Sequence, residues 1–145
     1  MTNPYMTEER LMFQDLARSF TREEVTPLAN RLDPEKGIIP ESLIHKMGDL
    51  GFFGITIPEA YGGLGLGAFE YCLIAEELAR GWMSVASIIA RGNGFYRSIP
   101  GVGAARDAKI AAMAKGRYLG AAALSEPQTG SDLSSVACLA RRDGE

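Results

Sequence analysis

An all-α fold is predicted, a helical bundle of about five or six helices that ends in extended segments. Three observations predict it. Apolar residues recur at helical spacing early in the chain, first Phe13, Leu16, Ala17 and Phe20, then Val25, Leu28, Ala29 and Leu32. Two later stretches, 68–79 and 82–90, are apolar around most of their circumference, as buried helices are. Residues 104–115 are rich in alanine, the strongest helix former, with Gly116 just past their end.

Thr7 can cap the first helix, and Glu8 and Glu9 suit the positive end of its dipole. Pro27, at the start of the second periodic set, is expected to kink or split it. Residues 33–37 form a loop. Pro40 and Glu41 start a short helix running to about Leu50, with Gly51 as its C-terminal cap. Residues 52–57 read equally as a strand or a buried irregular segment. The connection 58–67 carries Gly62, Gly63, Gly65 and Gly67 and is either mobile or tightly turned. The helix over 68–79 (Phe69, Tyr71, Cys72, Leu73, Ile74, Ala75, Leu78) is expected to be largely buried. A second buried helix follows over 82–90, ended or loosened by Gly92 and Gly94, and residues 100–103 turn into the alanine-rich helix.

Beyond that helix the expected pattern changes. Residues 118–124 read as extended, then a polar turn follows, then a strand over 136–142. Asp143-Gly144 is a two-residue hairpin signal, and a hairpin needs a returning strand. The expectation is therefore a helical domain over 1–117, with 118–145 as the edge of a β domain and the chain as the front portion of a longer protein.

Composition narrows the function. Hydrophobic residues make up 46% and charged residues 23%, so the chain is neither disordered nor membrane-spanning, and no apolar run approaches transmembrane length. Net charge is −3 with both signs interspersed, which argues against a nucleic-acid surface. The N-terminus lacks the basic start and apolar stretch of a signal peptide. Cys72 and Cys138 form no metal or redox motif and read as buried thiols in a reducing, cytoplasmic compartment. No metal ligand set is visible.

The stretch with chemical character is 121–132. Ala121, Ala122, Ala123 and Leu124 are small and apolar, suited to a buried extended run. The next residues, Ser125-Glu126-Pro127-Gln128-Thr129-Gly130-Ser131-Asp132, supply hydroxyls, carboxylates and a turn. Pro127 pushes Glu126 toward extended geometry, and Gly130 permits a positive φ or close approach of a bound group. Such a corner can present N–H and hydroxyl donors to a ligand, or simply end a strand. Glu126 and Asp132 read as turn-fixing carboxylates rather than an acid–base pair.

Leu124-Ser125-Glu126-Pro127-x-x-Gly130-Ser131-Asp132 resembles the flavin-binding signature of the acyl-CoA dehydrogenases, with Ser125 where threonine is commoner and Thr129 where a smaller residue is usual. Residues 57–65 (Ile57 to Gly65) and 75–80 (Ala75 to Arg80) resemble the same family in the same order. The resemblance implies a helical N-terminal domain before a β-barrel and a helical C-terminal domain. It implies α,β-dehydrogenation of an acyl-CoA thioester in fatty acid metabolism, with FAD as cofactor and hydride passing to the flavin N5. It also implies an electron-accepting flavoprotein or other acceptor as partner, and a homotetramer. The family's base is a glutamate of the C-terminal domain, so no catalytic residue is assigned here. Ala122, Leu124 and Ser125 match flavin-ring positions, although Ala122 replaces a residue that is often aromatic. Gly130 and Ser131 match the turn beside the diphosphate, and Ser131 also a contact to acyl-CoA. Val85, Ala86, Ser87, Ile89 and Ala90 are candidate walls of the acyl pocket.

Several other readings compete. Arg80 matches an arginine that binds the distal carboxylate in glutaryl-CoA dehydrogenases, against which stands an ordinary surface ion pair. Glu76 and Glu77 read as one helix carboxylate paired with an arginine and one solvated. His45, the one histidine, reads as a surface helix position. Gly63-Leu64-Gly65-Leu66-Gly67-Ala68 formally fits a dinucleotide-binding turn, with Arg91 placed for a 2′-phosphate, but Pro58 to Gly62 separates it from any strand. A non-catalytic helical interaction module of the same shape is the remaining alternative.

Overall fold

Thr7 opens the first helix as its pattern implies. Its hydroxyl accepts the Arg10 N–H at 3.2 Å, and Glu8 and Glu9 occupy the first turn of α1 (Glu8–Phe20). The structure, a computed structural model, describes residues 4–141 together with 143 and 144. Helix α1 runs without a break through a π-helical turn, Thr21–Val25, into α2 (Thr26–Leu32). Pro27 therefore does not split the rod. It sits in the first turn of α2, and the wider turn upstream, closed by the Thr26 N–H on the Thr21 carbonyl, relieves the clash a proline ring makes with the preceding turn.

Helix α3 (Glu41–Asp49) follows Pro40 and ends at Gly51, whose φ of +79° permits the Phe52 N–H to reach the Met47 carbonyl at 3.0 Å. Residues 52–57 then take the irregular alternative, with Phe52, Phe53, Ile55 and Ile57 at most 1% exposed. Their backbone groups are satisfied by the glycine-rich connection folding back over them. Leu64 and Leu66 donate to the carbonyls of Gly54 and Ile55 at 2.8 Å, and Gly65 donates to Ile57 at 2.9 Å. A β-carbon on Gly63 would lie 2.1 Å from the Ile57 oxygen, so close backbone approach requires glycine there. The connection is tightly turned.

The second half holds α4 (Ala68–Gly81), α5 (Met83–Ile88), α6 (Ala90–Asn93) and α7 (Ala104–Ala114). Taking α1–α2 and α5–α6 as continuous rods, the described residues form the expected small bundle. Helix α1 packs along α4 and α4 against α5. The main core gathers Phe20, Met47, Phe52, Ile74, Leu78 and Trp82, with Phe20 and Phe52 meeting edge to face at 5.7 Å. A smaller cluster joins Ile57 and Tyr96 to Ile110 and Met113 of α7.

Burial departs from expectation in two helices. Helix α4 hides one stripe, Glu70, Ile74, Glu77 and Leu78, while Phe69 and Cys72 are exposed. The stripe faces α1, and α1 supplies polar partners for both glutamates, so the carboxylates go inside. Helices α5 and α6 likewise bury one face, and Met83 is 70% exposed. Gly92 lies within α6, which Gly94 caps, and packs so closely on the segment beneath that a β-carbon would stand 2.2 Å from the Phe53 oxygen.

Both cysteines are exposed, not buried, which removes the burial argument for a reducing compartment. No helix among the described residues is long and apolar enough to cross a membrane.

The C-terminal stretch is extended but forms no strand among the described residues. It contains one isolated bridge, Glu126 to Thr129, and a 3-10 turn at Leu133–Ser135. Val136 and Leu139 are exposed, and the strand expected over 136–142 is not formed over 136–141, since a lone segment has no ladder to join. Gly144 has the left-handed φ of +94° that hairpin turns use, while Arg142 lies outside the described residues.

Candidate functional site

The polar corner is hung from α6. After α7 the chain turns at Gly116 (φ +64°) and is clamped at Gly120, whose N–H donates to the Arg91 carbonyl at 3.2 Å while Arg91 Nη1 donates to the Gly120 carbonyl at 3.3 Å. A β-carbon on Gly120 would come within 2.6 Å of Phe95 Cβ, so only glycine fits. Nothing in the sequence reading had marked this anchor. From there Ala121, Ala122, Ala123, Leu124 and Ser125 run exposed, against the expectation of a buried segment.

The turn itself is internally braced. Glu126 and Thr129 exchange backbone bonds at 2.8 and 3.1 Å, and the buried Thr129 donates through Oγ1 to the Asp132 carbonyl at 2.6 Å. The Glu126 carboxylate accepts the N–H groups of Ala137 (3.0 Å) and Cys138 (2.8 Å), which hold its pKa below the usual carboxylate range. Asp132 accepts the Ser134 and Ser135 hydroxyls and the Ser134 N–H, and is likewise held low. Both carboxylates are committed to holding the turn, as the sequence implies.

The remaining corner residues are uncommitted. Ser125, Gly130 and Ser131 are exposed and have no hydrogen-bond partner among the described residues, and Leu124 is 59% exposed. Ser125 and Gly130 flank the Glu126–Thr129 bridge, so the turn brings the two halves of the motif together. No atom lies within 4 Å of a β-carbon placed on Gly130, and its φ is not left-handed. Nothing among the described residues requires glycine there, which leaves its backbone open to a group from outside.

The candidate acyl wall separates into two faces. Val85, Ala86 and Ile89 are 0%, 6% and 0% exposed and pack inside the main core, so they do not line open space. Ser87 faces a groove of about 460 Å³ formed with Ile39, Met83, Ser84, Ile88 and Arg91. Ala90 faces a hollow of about 290 Å³ with Thr56, Tyr71 and Asn93.

Arg80 is held by Glu76 at 2.7 Å and approaches Glu77 at 3.7 Å, the ordinary ion pair. Neither glutamate is the solvated member expected, since Glu76 pairs with Arg80 and Glu77 with Arg18. The Glu77 side chain is 2% exposed and accepts Arg18 Nη2 at 2.9 Å and Gln14 Nε2 at 3.1 Å. His45 is half-buried beside Glu41, its Nε2 at 3.4 Å from Oε1. Asn93, unmarked in the sequence, is a buried hub: its amide nitrogen donates to the Phe52 and Ile89 carbonyls, and its oxygen accepts the Thr56 N–H at 2.9 Å.

The dinucleotide alternative fails on geometry. The N–H of Gly67, the cap of α4, is taken by Glu70 Oε2 at 3.0 Å, so a carboxylate occupies the place a phosphate would need. The described residues contain no βαβ unit and no cluster of three metal-ligating side chains.

Comparison with known proteins bears on the whole arrangement. A family profile described as "Acyl-CoA dehydrogenase, N-terminal domain" matches residues 7–123. (2S)-methylsuccinyl-CoA dehydrogenase of Cereibacter sphaeroides is 35% identical over 97% of this chain and 26% of its own length. Benzylmalonyl-CoA dehydrogenase of Aromatoleum aromaticum is 36% identical over 94% of this chain and 37% of its own. Among solved structures, acyl-CoA dehydrogenase from Geobacillus kaustophilus superposes with a TM-score of 0.81 at 32% identity, covering 94% of this chain and 36% of that one. The chain thus spans well under half the length of each.

Proposed function

The chain belongs to the acyl-CoA dehydrogenase family, as its N-terminal domain, and from that premise we propose that it forms one wall of the site of an FAD-dependent dehydrogenase acting on acyl-CoA thioesters. The observation that carries the reading is the corner 125–131, a braced turn whose Ser125, Gly130 and Ser131 donors have no partner among the described residues. Residues 1–117 supply the helical scaffold, and 118–145 lead toward the further domains of the family architecture.

In this reading Ala122, Leu124 and Ser125 border the flavin ring, and Gly130 and Ser131 hold the diphosphate, with Ser131 also reaching the acyl-CoA. The donors fit such a group: exposed amides and hydroxyls beside small side chains stabilise negative charge on a ring or phosphate. When bound there, FAD supplies the hydride acceptor for α,β-dehydrogenation. The chain's own part is to bind and orient. The Glu126 and Asp132 carboxylates keep the turn rigid, and Arg91 and Gly120 fix its distance from α6. Ser87 and Ala90 are the acyl-wall candidates that face open space. The base that removes the α proton comes from outside this chain. Residues 1–145 alone therefore bind FAD weakly and show no turnover, and the assembled enzyme is a homo-oligomer that passes electrons to a flavoprotein or another acceptor.

The test is anaerobic titration of the full-length protein with FAD and acyl-CoA. Uptake of FAD followed by bleaching of the oxidised flavin band supports the reading. Failure to take up FAD, or a band unchanged by every acyl-CoA tried, contradicts it and favours a non-catalytic module.

A further inference from the structure

Arg91 has no carboxylate within ion-pair distance among the described residues. Arg10, Arg18, Arg22, Arg80, Arg106 and Arg117 each stand against a carboxylate, and Arg31, Arg97 and Arg141, which have none among the described residues, are exposed. Arg91 is half-buried, has no ion-pair partner among the described residues, and spends one of its N–H groups on the Gly120 carbonyl. A guanidinium carries five such donors in a planar fork matched to a carboxylate. Around it lies the groove of about 460 Å³, walled by Ile39, Met83 and Ile88 and carrying the exposed hydroxyls of Ser84 and Ser87. These hydroxyls stand three residues apart on one face of α5 and have no hydrogen-bond partner among the described residues.

A ligand filling this groove would strip water from Arg91. A chain ending in a methyl group would leave that cation desolvated and unpaired, which is costly. A chain ending in a carboxylate would lay its methylenes on the apolar wall and place its charge on the guanidinium, with the serine hydroxyls taking the remaining lone pairs. We propose that Arg91, assisted by Ser84 and Ser87, selects acyl-CoA thioesters whose acyl group carries a distal carboxylate. The proposal rests on the acyl-CoA reading above and names the substrate class of that same site. It assigns the charge recognition to Arg91 and not to Arg80, whose guanidinium is held by Glu76.

The test uses two non-oxidisable CoA thioethers of equal length, one carboxyl-ended and one methyl-ended, titrated calorimetrically into the full-length FAD-loaded protein. The wild type is expected to bind the carboxyl-ended thioether roughly ten- to a hundredfold more tightly, the range of a charge-assisted hydrogen-bonded pair. Arg91→Met is expected to erase that preference, and Arg91→Lys to keep part of it. A wild type that prefers the methyl-ended thioether overturns the proposal, and this readout needs no variant to fold. Equal weakening of both thioethers in Arg91→Met also overturns it, because Arg91 would then serve the CoA phosphates or only the Gly120 anchor. If neither thioether binds, the acyl-CoA reading itself falls and this proposal with it.

Discussion

Arg18 on α1 donates through Nη2 to Oε1 of Glu77 on α4 at 2.9 Å, and that carboxylate is 2% exposed while the arginine is 52% exposed. The pair is asymmetric. Removing Glu77 returns Arg18 to water, whereas removing Arg18 leaves a buried charge supported only by Gln14 and the longer contact to Arg80. Arg18→Met is therefore expected to destabilise the fold more than Glu77→Gln, which costs about 1 kcal/mol. Denaturant unfolding of both variants checks the order, and a costlier Glu77→Gln would contradict it.

Glu70 gives the fold an acid-sensitive joint. Its carboxylate accepts Arg10 Nε at 2.6 Å and the Gly67 N–H at 3.0 Å, and Arg10 in turn lies 4.2 Å over the Phe69 ring. The Arg10 hydrogen bond is the chief reason Glu70 ionises below its ordinary value of 4.5 in the folded state. A depressed carboxylate stabilises the fold fully above the unfolded value, and that stabilisation is lost as pH falls through the folded one. Glu70→Gln keeps an oxygen for the Gly67 N–H but loses the charge opposite Arg10, and is expected to cost about 1–2 kcal/mol at neutral pH. The gap between wild type and variant should close as pH drops below about 4.5, the ordinary value. A gap that stays constant across that range would show that the carboxylate charge does not matter.

Asn93 ties α6 to the irregular segment beneath it. Its amide nitrogen reaches Phe52 at 2.8 Å and Ile89 at 3.0 Å, while Thr56 Oγ1 donates to the Asn93 carbonyl at 3.0 Å. Asn93→Ala strands the Phe52 carbonyl and the Thr56 N–H and is expected to cost about 3 kcal/mol, against about 1 kcal/mol for Thr56→Val. Thermal unfolding of the two variants checks the ranking.

The helices, their caps and the family motif were legible because each rests on neighbours in sequence. Thr7 caps residues three positions away, and Gly51 and Gly116 end helices where a left-handed residue is needed. Burial was less legible because it rests on distant partners. Glu70 and Glu77 go inside only because Arg10, Gln14 and Arg18 arrive from α1, some sixty residues earlier. The faces of α5 were obscured for a related reason: Ser87 sits in an apolar stretch, and only packing shows that Val85 and Ile89 turn inward while Ser87 turns out. The extended C-terminal stretch, expected to be buried and to pair, has no surface within the described residues to do either.

The corner itself yields a graded expectation in the full-length protein. Ser125→Ala and Ser131→Ala each remove one hydroxyl donor and are expected to weaken FAD binding by about 1–2 kcal/mol. Gly120→Ala forces the segment off Phe95 and should weaken it further. Fluorescence titration with FAD measures all three. Affinity indifferent to every one of them would remove the corner from the binding site.

A structure of the full-length protein with FAD bound measures the central assignment most directly. The account predicts Ser125 and the Gly130–Ser131 backbone or hydroxyl within hydrogen-bond distance of the flavin and its diphosphate, about 3 Å. A cofactor seated elsewhere, with this turn facing only solvent or protein, would contradict it.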